Sequence, residues 1–194
     1  MNKPMSPRKT NPPTIEFVLL GLIRQRAVHG YDLLQTLKED VGIGMVWHIK
    51  PGRLYALLDK LEQLGWLQST VKPGDGFMPR KEYSLAEPGQ QALQEWMNTP
   101  VKSPHRMRQE FLARLYFADK EGRQVVLQLI DLQQTRCEAW LLEVRAESSQ
   151  RLTGGKYEDL VTQFRVGQIQ AMLTWLESCR KRYSSQQTER NRHE

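Results

Sequence analysis

Only two cysteines, Cys137 and Cys179, occur among 194 residues, and they stand far apart inside helical patterns. No Cys-x-x-Cys pair or Cys/His cluster accompanies them, so neither a zinc site nor a disulfide framework is indicated. A reduced, cytoplasmic protein is the expected setting. Histidine is nearly as scarce. His29, His48, His105 and His193 fall in loops or a tail, with no carboxylate or cysteine at ligand spacing. The Gly-x-x-x-x-Gly-Lys phosphate loop and the Gly-x-Ser-x-Gly elbow are both missing. No catalytic set, metal or cofactor follows, and no enzyme is expected. Long apolar runs are lacking too. The longest, Phe17 to Ile23, contains Gly21 and is far too short to span a bilayer. Residues 1–13 are basic without an apolar core, so no signal peptide is expected there.

What remains is a chain with 39% hydrophobic and 26% charged residues, enough for one large domain or two small ones. Its formal charge of +6 invites a nucleic-acid partner. The excess sits in the tails. Residues 1–13 carry Lys3, Arg8 and Lys9, and residues 180–194 carry five basic against two acidic side chains. Between them, 20 basic and 20 acidic residues balance. Local placement therefore has to carry any claim about nucleic acid.

The stretch Trp47 to Leu67 supplies that placement. Pro51 suits the first position of a helix, where its missing N–H would go unpaired anyway. Leu54, Leu57, Leu58, Leu61 and Leu64 follow at steps of three and four and make one apolar stripe. Gly65 is set to end the helix in a left-handed cap. At 100° per residue, Gly52, Ala56, Asp59 and Gln63 point away from the stripe. Arg53, Tyr55 and Lys60 stand on its flanks, and Lys50 precedes it. A helix lying in a DNA major groove needs small groups at the close approach and phosphate-holding groups beside them.

Around this helix the chain reads in order. Residues 1–13, with four prolines, read as a flexible arm. Thr14 is placed to cap a first helix to about Arg24, and Leu33, Leu34 and Leu37 mark a second that ends near Asp40. After the third come two strands, Trp66 to Lys72 and Arg80 to Leu85, around a turn-rich tip at residues 73–79. Lys72, Arg80 and Lys81 stand at the rim of this hairpin. Three helices and a basic-rimmed hairpin form the winged helix-turn-helix order, in which the third helix enters the major groove and the hairpin reaches the backbone or minor groove. A fourth helix runs from Glu87 to about Met97. Asn98 to Pro104 then reads as a linker.

The rest is helical. Met107, Phe111, Leu115 and Ala118 give one stripe, and Asp119 is placed to cap a long helix to about residue 149. A turn at Thr153-Gly154-Gly155 leads to a last helix holding Tyr157, Leu160, Val161, Phe164, Met172, Trp175 and Cys179. Such an antiparallel hairpin has too little core for all its apolar surface. Leu127, Leu132, Leu141, Leu142 and Ile169 fall off the stripes, and a second copy of the chain is the simplest cover. The expected organisation is an arm (1–13), a winged-helix domain (14–98), a helical dimerisation domain (105–184) and a disordered tail (185–194).

The run His29-Gly30-Tyr31, then Lys50 to Tyr55, then Leu61-Glu62-Gln63-Leu64-Gly65, then Pro79 to Leu85 resembles the PadR family of bacterial transcriptional regulators. The combined order and spacing over roughly residues 15–98 carry the likeness. The C-terminal region resembles, at the level of pattern, the α-helical domain of the longer PadR-like regulators, including the virulence activators. The resemblance implies a homodimer that binds a palindromic operator on double-stranded DNA, usually as a repressor. Tyr55 matches the family's recognition-helix tyrosine, and Arg80-Lys81 its basic pair on the wing. The chain departs from the pattern in two places. Ala86-Glu87-Pro88 lacks the usual capping hydroxyl, and Lys50 stands where Ser usually precedes Pro-Gly.

The fold expected is mainly α, a winged helix-turn-helix domain with a two-stranded wing plus long antiparallel helices. The expected DNA-contact set is Lys50, Gly52, Arg53, Tyr55, Ala56, Asp59, Lys60, Gln63, Lys72, Arg80 and Lys81. Trp96, Phe111, Trp140 and Trp175, with Met172, either line an aromatic effector pocket at the dimer interface or are plain core. The alternative function is a winged-helix protein-interaction module without DNA.

Overall fold

The computed structural model describes residues 14–72, 80–150 and 155–190, and the chain divides between Trp96 and Met97 into two compact units. The arm at 1–13, the hairpin tip at 73–79, the turn residues Thr153 and Gly154, and residues 191–194 lie outside the described residues.

In the first unit, α1 (Thr14–Arg24) is followed by β1 (Val28–His29), α2 (Gly30–Glu39), a short 3-10 turn (Ile43–Met45) and α3 (Pro51–Gln63). Then come β2 (Leu67–Lys72), β3 (Arg80–Leu85) and α4 (Glu87–Met97). The hairpin pairs antiparallel from Leu67 opposite Leu85 to Lys72 opposite Arg80. The sequence reading missed β1, which adds a third strand beside β3, with Val28 opposite Tyr83. Two residues between two helices leave too short a pattern for an alternation to show. Pairing shields the inner edge of the wing and ties the start of α2 to it.

α3 is seated by its leucines. Leu54, Leu58 and Leu61 are each 0% exposed, as are Val18, Leu19 and Leu20 of α1, with Leu33 and Leu37 of α2 nearly so. Leu57 is half-buried and Leu64 is 50% exposed, so the inward stripe is narrower than the five leucines suggest. The reason is the end of the helix. Leu64 is its C-cap, and Gly65, at φ +68°, turns the chain away before a further apolar position can reach the core. On the other side of the unit, Phe17 stacks on Trp96 with centroids 5.1 Å apart, and Trp66 packs tilted at 5.8 Å.

The second unit comprises a 3-10 turn (Pro104–Arg106), a π-helical turn (Met107–Phe111), α5 (Leu112–Glu121), α6 (Arg123–Ser149) and α7 (Lys156–Arg190). Asp119 does not cap a long helix. It sits in the last turn of α5, and the break falls at Gly122, whose φ of +117° is open chiefly to glycine. The Asp119 carboxylate instead accepts the Tyr183 hydroxyl at 2.7 Å, and burial with that neighbour pushes the phenol up to about 12. α6 and α7 run antiparallel, laced by Arg165 with Glu147 at 2.8 Å and by Arg180 with Asp131. Their shared core holds Val126, Ile130, Cys137, Trp140, Val144, Ile169 and Leu176.

Three expectations are corrected here. Ile169 is not spare apolar surface; it is 1% exposed, whereas Tyr157, Leu160 and Phe164 on the expected stripe are 74%, 63% and 68% exposed. The periodicity finds two apolar faces on α7 and cannot say which one α6 takes. The helix also continues to Arg190, past the expected start of a tail at 185, because nothing from Ser184 to Arg190 breaks it. And the connecting segment Asn98 to Pro104 is not free throughout, for Val101 is 0% exposed in the second core.

The seating of α3 has a measurable signature. Leu58→Ala should lower the unfolding free energy by about 2–5 kcal/mol. Leu64→Ala, at the exposed end, should cost less than about 1 kcal/mol. Urea unfolding of both variants checks the difference.

Candidate nucleic-acid interface

With its leucines turned inward, α3 presents the opposite side to solvent. Gly52, Arg53, Tyr55, Ala56, Asp59, Lys60 and Gln63 are all exposed, as are Lys50 before the helix and Lys72, Arg80 and Lys81 on the wing. A Cβ added at Gly52 would meet nothing within 4 Å, so the first turn is open for close approach of another molecule. Gly30 is the converse. A Cβ there would come within 2.7 Å of the Tyr55 ring, so α2 and α3 meet through a residue that leaves room for the tyrosine. Tyr55 and Tyr83, with His29, Tyr31, Asp59, Arg80 and Lys81, line a cavity of about 620 Å³ between α2, α3 and the wing. His29 and Tyr31 belong to this surface and were absent from the expected contact set. The quoted His29-Gly30-Tyr31 run was their signal in the sequence. The His29 Nδ1 lies 3.1 Å from the Lys81 carbonyl, and the Tyr31 hydroxyl accepts from Gln35 at 2.9 Å.

The basic groups differ in what already holds them. Lys60 Nζ lies 2.8 Å from Glu16 Oε1, a carboxylate that is 0% exposed in the first turn of α1. Removing the lysine would leave a buried charge without its cation, so Lys60 is a fold residue as much as a surface one. Glu16 itself was not foreseen, because a single acid inside Ile15 to Ile23 reads as the outer face of a helix. Lys81 Nζ lies 3.0 Å from Glu62 Oε2, and Ser69 donates to the other oxygen of Glu62. The hydrogen bond from Ser69, and then that from Lys81, hold the Glu62 carboxyl below its ordinary value, and the same bridge raises Lys81. Lys72 stands opposite Arg80 in the ladder, where like charges repel, and it is paired with Glu82. Lys50, Arg53 and Arg80 hold no ion pair among the described residues.

No group of side chains suited to a metal ion occurs among the described residues, and no helix there is long and apolar enough to cross a membrane. Burial pushes both thiols, Cys137 and Cys179, up in pKa, which disfavours the reactive thiolate.

Residues 19–95 match the transcriptional regulator PadR-like family, and residues 107–184 match the virulence activator alpha C-terminal family. Residues 19–95 are therefore a PadR-like domain. A relative, the negative transcriptional regulator PadR of Bacillus subtilis (strain 168), is 26% identical over 147 residues, which cover 76% of this chain and 75% of that protein. Among solved structures, Bacillus subtilis PadR in complex with operator DNA is similar at 23% identity and a TM-score of 0.46. That match covers 88% of this chain and 99% of that one. The PadR-like regulator BC1756 of Bacillus cereus is similar at 23% identity and a TM-score of 0.41, covering 90% and 98%.

The four aromatics expected to share a pocket are divided between the two units, Trp96 in the first and Phe111, Trp140 and Trp175 in the second. Trp96 is spent in the first unit, stacked on Phe17, and Trp140 is 4% exposed in the α6–α7 core. Helical periodicity marks each as inward-facing but does not say which core receives it. Phe111 and Trp175 do meet, edge to face with centroids 5.9 Å apart. Trp175 and Met172 line a groove of about 530 Å³ with Met107, Leu112, His105 and Arg108.

The Glu62 bridge fixes a pH dependence. A carboxyl whose folded pKa lies below the ordinary 4.5 stabilises the fold above that value and loses the contribution as pH falls through the lower, folded one. The stability of Glu62→Gln should therefore fall less than that of the natural protein when urea midpoints are compared at neutral pH and in that acid range.

Proposed function

We propose that this protein is a transcriptional regulator, a homodimer that represses transcription in the cytoplasm by holding a palindromic operator on double-stranded DNA. One observation carries the reading: the side of α3 opposite its buried leucines is exposed and small, with cations at its edges. Gly52 and Ala56 let the backbone come close to the base pairs. Asp59 can accept from a cytosine N4 amine, and Gln63 can make a paired bond to adenine. Arg53 and Arg80, which hold no ion pair among the described residues, and Lys50 meet phosphates directly. Tyr55 adds a hydroxyl donor beside them. Lys60, Lys72 and Lys81 contribute positive potential while still bound to their carboxylates, so each releases fewer counterions than a free lysine would.

Two copies are needed to read a palindrome, with half-sites one helical turn of about 34–36 Å, or a multiple, apart. The face of α7 bearing Tyr157, Leu160 and Phe164 supports dimerisation. Apolar groups three and four residues apart, left in water, gain by meeting a copy of themselves. The name of the Bacillus subtilis relative, a negative regulator, supports repression over activation. The groove beside Phe111 and Trp175 is the place for a small aromatic effector, with Arg108 at hand for an acidic group on it.

A selected-duplex binding screen followed by gel shifts tests the reading. Arg53→Ala and Arg80→Ala should each weaken binding to every sequence alike and lower the salt slope by about one unit. Gln63→Ala should change preference by about 1–3 kcal/mol at one base pair in each half-site. Equal effects of Gln63→Ala on operator and random duplexes would reject its base-reading role. Separately, the double variant Leu160→Glu, Phe164→Glu should sediment as a monomer at concentrations where the natural protein is a dimer.

A further inference from the structure

The segment leading from α4 into the second unit is held by buried polar side chains. Gln133, on α6 and 0% exposed, accepts the Val101 N–H at 2.8 Å. Arg114, on α5 and 3% exposed, donates to the Thr99 carbonyl and lies 3.3 Å from its hydroxyl. Arg114 is itself paired with Glu110 in the π-helical turn, which also accepts from Arg106 at 2.7 Å. Pro100, between the two held residues, fixes one more dihedral.

This arrangement is expensive for a purely structural purpose. A buried ion pair is commonly no more stabilising than well-packed apolar side chains of the same volume, but it admits fewer geometries. Here the selected geometry is that of the backbone from Thr99 to Val101, the only covalent route between the winged helix and α5 to α7. Were this route a free tether, two winged helices on one dimer could bind half-sites at many separations.

We propose that Gln133, Arg114 and Glu110 are positioning residues for operator spacing. They fix the course on which the chain leaves the unit bearing the dimer face, and so restrict the half-site separations the dimer accepts. The proposal rests on the DNA-binding reading above, but the clamp itself is testable without DNA.

Gln133→Met removes the acceptor at similar volume. Arg114→Lys keeps a cation for Glu110 but gives up the reach of the guanidinium to Thr99. Exposed Lys102, beside the held residues, offers a trypsin site that reports the clamp. Limited trypsinolysis of the full-length chain should cut after Lys102 about five- to tenfold faster in either variant than in the natural protein. On selected palindromes with one or two base pairs added or removed between half-sites, the natural protein should favour one spacing by about tenfold or more, and the variants should flatten that preference. Affinity for a single half-site should not change. Cleavage after Lys102 at the same rate in all three proteins overturns the clamp. Faster cleavage with an unchanged spacing profile overturns the positioning role. If the natural protein binds no duplex, the spacing role falls with the reading it rests on, and the trypsin rates show whether the clamp exists regardless.

Discussion

Three fully buried leucines, Leu54, Leu58 and Leu61, decide which way α3 faces, and nearly every functional statement about the molecule follows from that orientation. Side chains on a helix sit 100° apart, so burying one stripe commits the opposite one to solvent. Rotating α3 by even one position would expose a leucine and bury Asp59 or Lys60, at several kcal/mol for the buried charge alone. The hydrophobic effect has no direction of its own, yet here it aims Gly52, Ala56 and Gln63 outward.

The electrostatics refine this picture. A count of basic residues would treat the cations near α3 as equals, but Lys60, Lys72 and Lys81 are bridged to Glu16, Glu82 and Glu62. Such bridges hold the wing against α3, since Glu62 lies on the helix and Ser69 and Lys81 on the two strands of the hairpin. They also moderate the positive field. The arginines carry no such restraint among the described residues, and a guanidinium suits phosphate geometry better than an ammonium does. The division between bridged lysines and unbridged arginines therefore separates groups that shape the surface from groups that would grip a partner.

How much of this was readable beforehand depended on whether the signal was local. Pro51 at a helix start, Gly65 at its end and the leucine spacing between them are local chemistry, and α3 runs from Pro51 to Gln63 as they predict. The same holds for the hairpin and for α4. What failed was non-local. No pattern around Val28 announces pairing with Tyr83, fifty-five residues away in the register. No periodicity tells Trp96 to stack on Phe17, or tells α7 to bury Ile169 and leave Phe164 in water. Glu16 was opaque for a related reason, since its partner Lys60 is distant in the chain. The His29 and Tyr31 contribution to the surface was visible as a motif but not as geometry.

The central claim is that the outward side of α3 enters the major groove at two places on one face of a duplex. Guanine N7 methylation interference on the selected operator tests it directly, because that atom lies on the floor of the major groove. The account predicts interference at guanines in two clusters whose centres are one helical turn, or a multiple, apart. Interference confined to minor-groove adenine N3, or none at guanine N7 in either half-site, would contradict it.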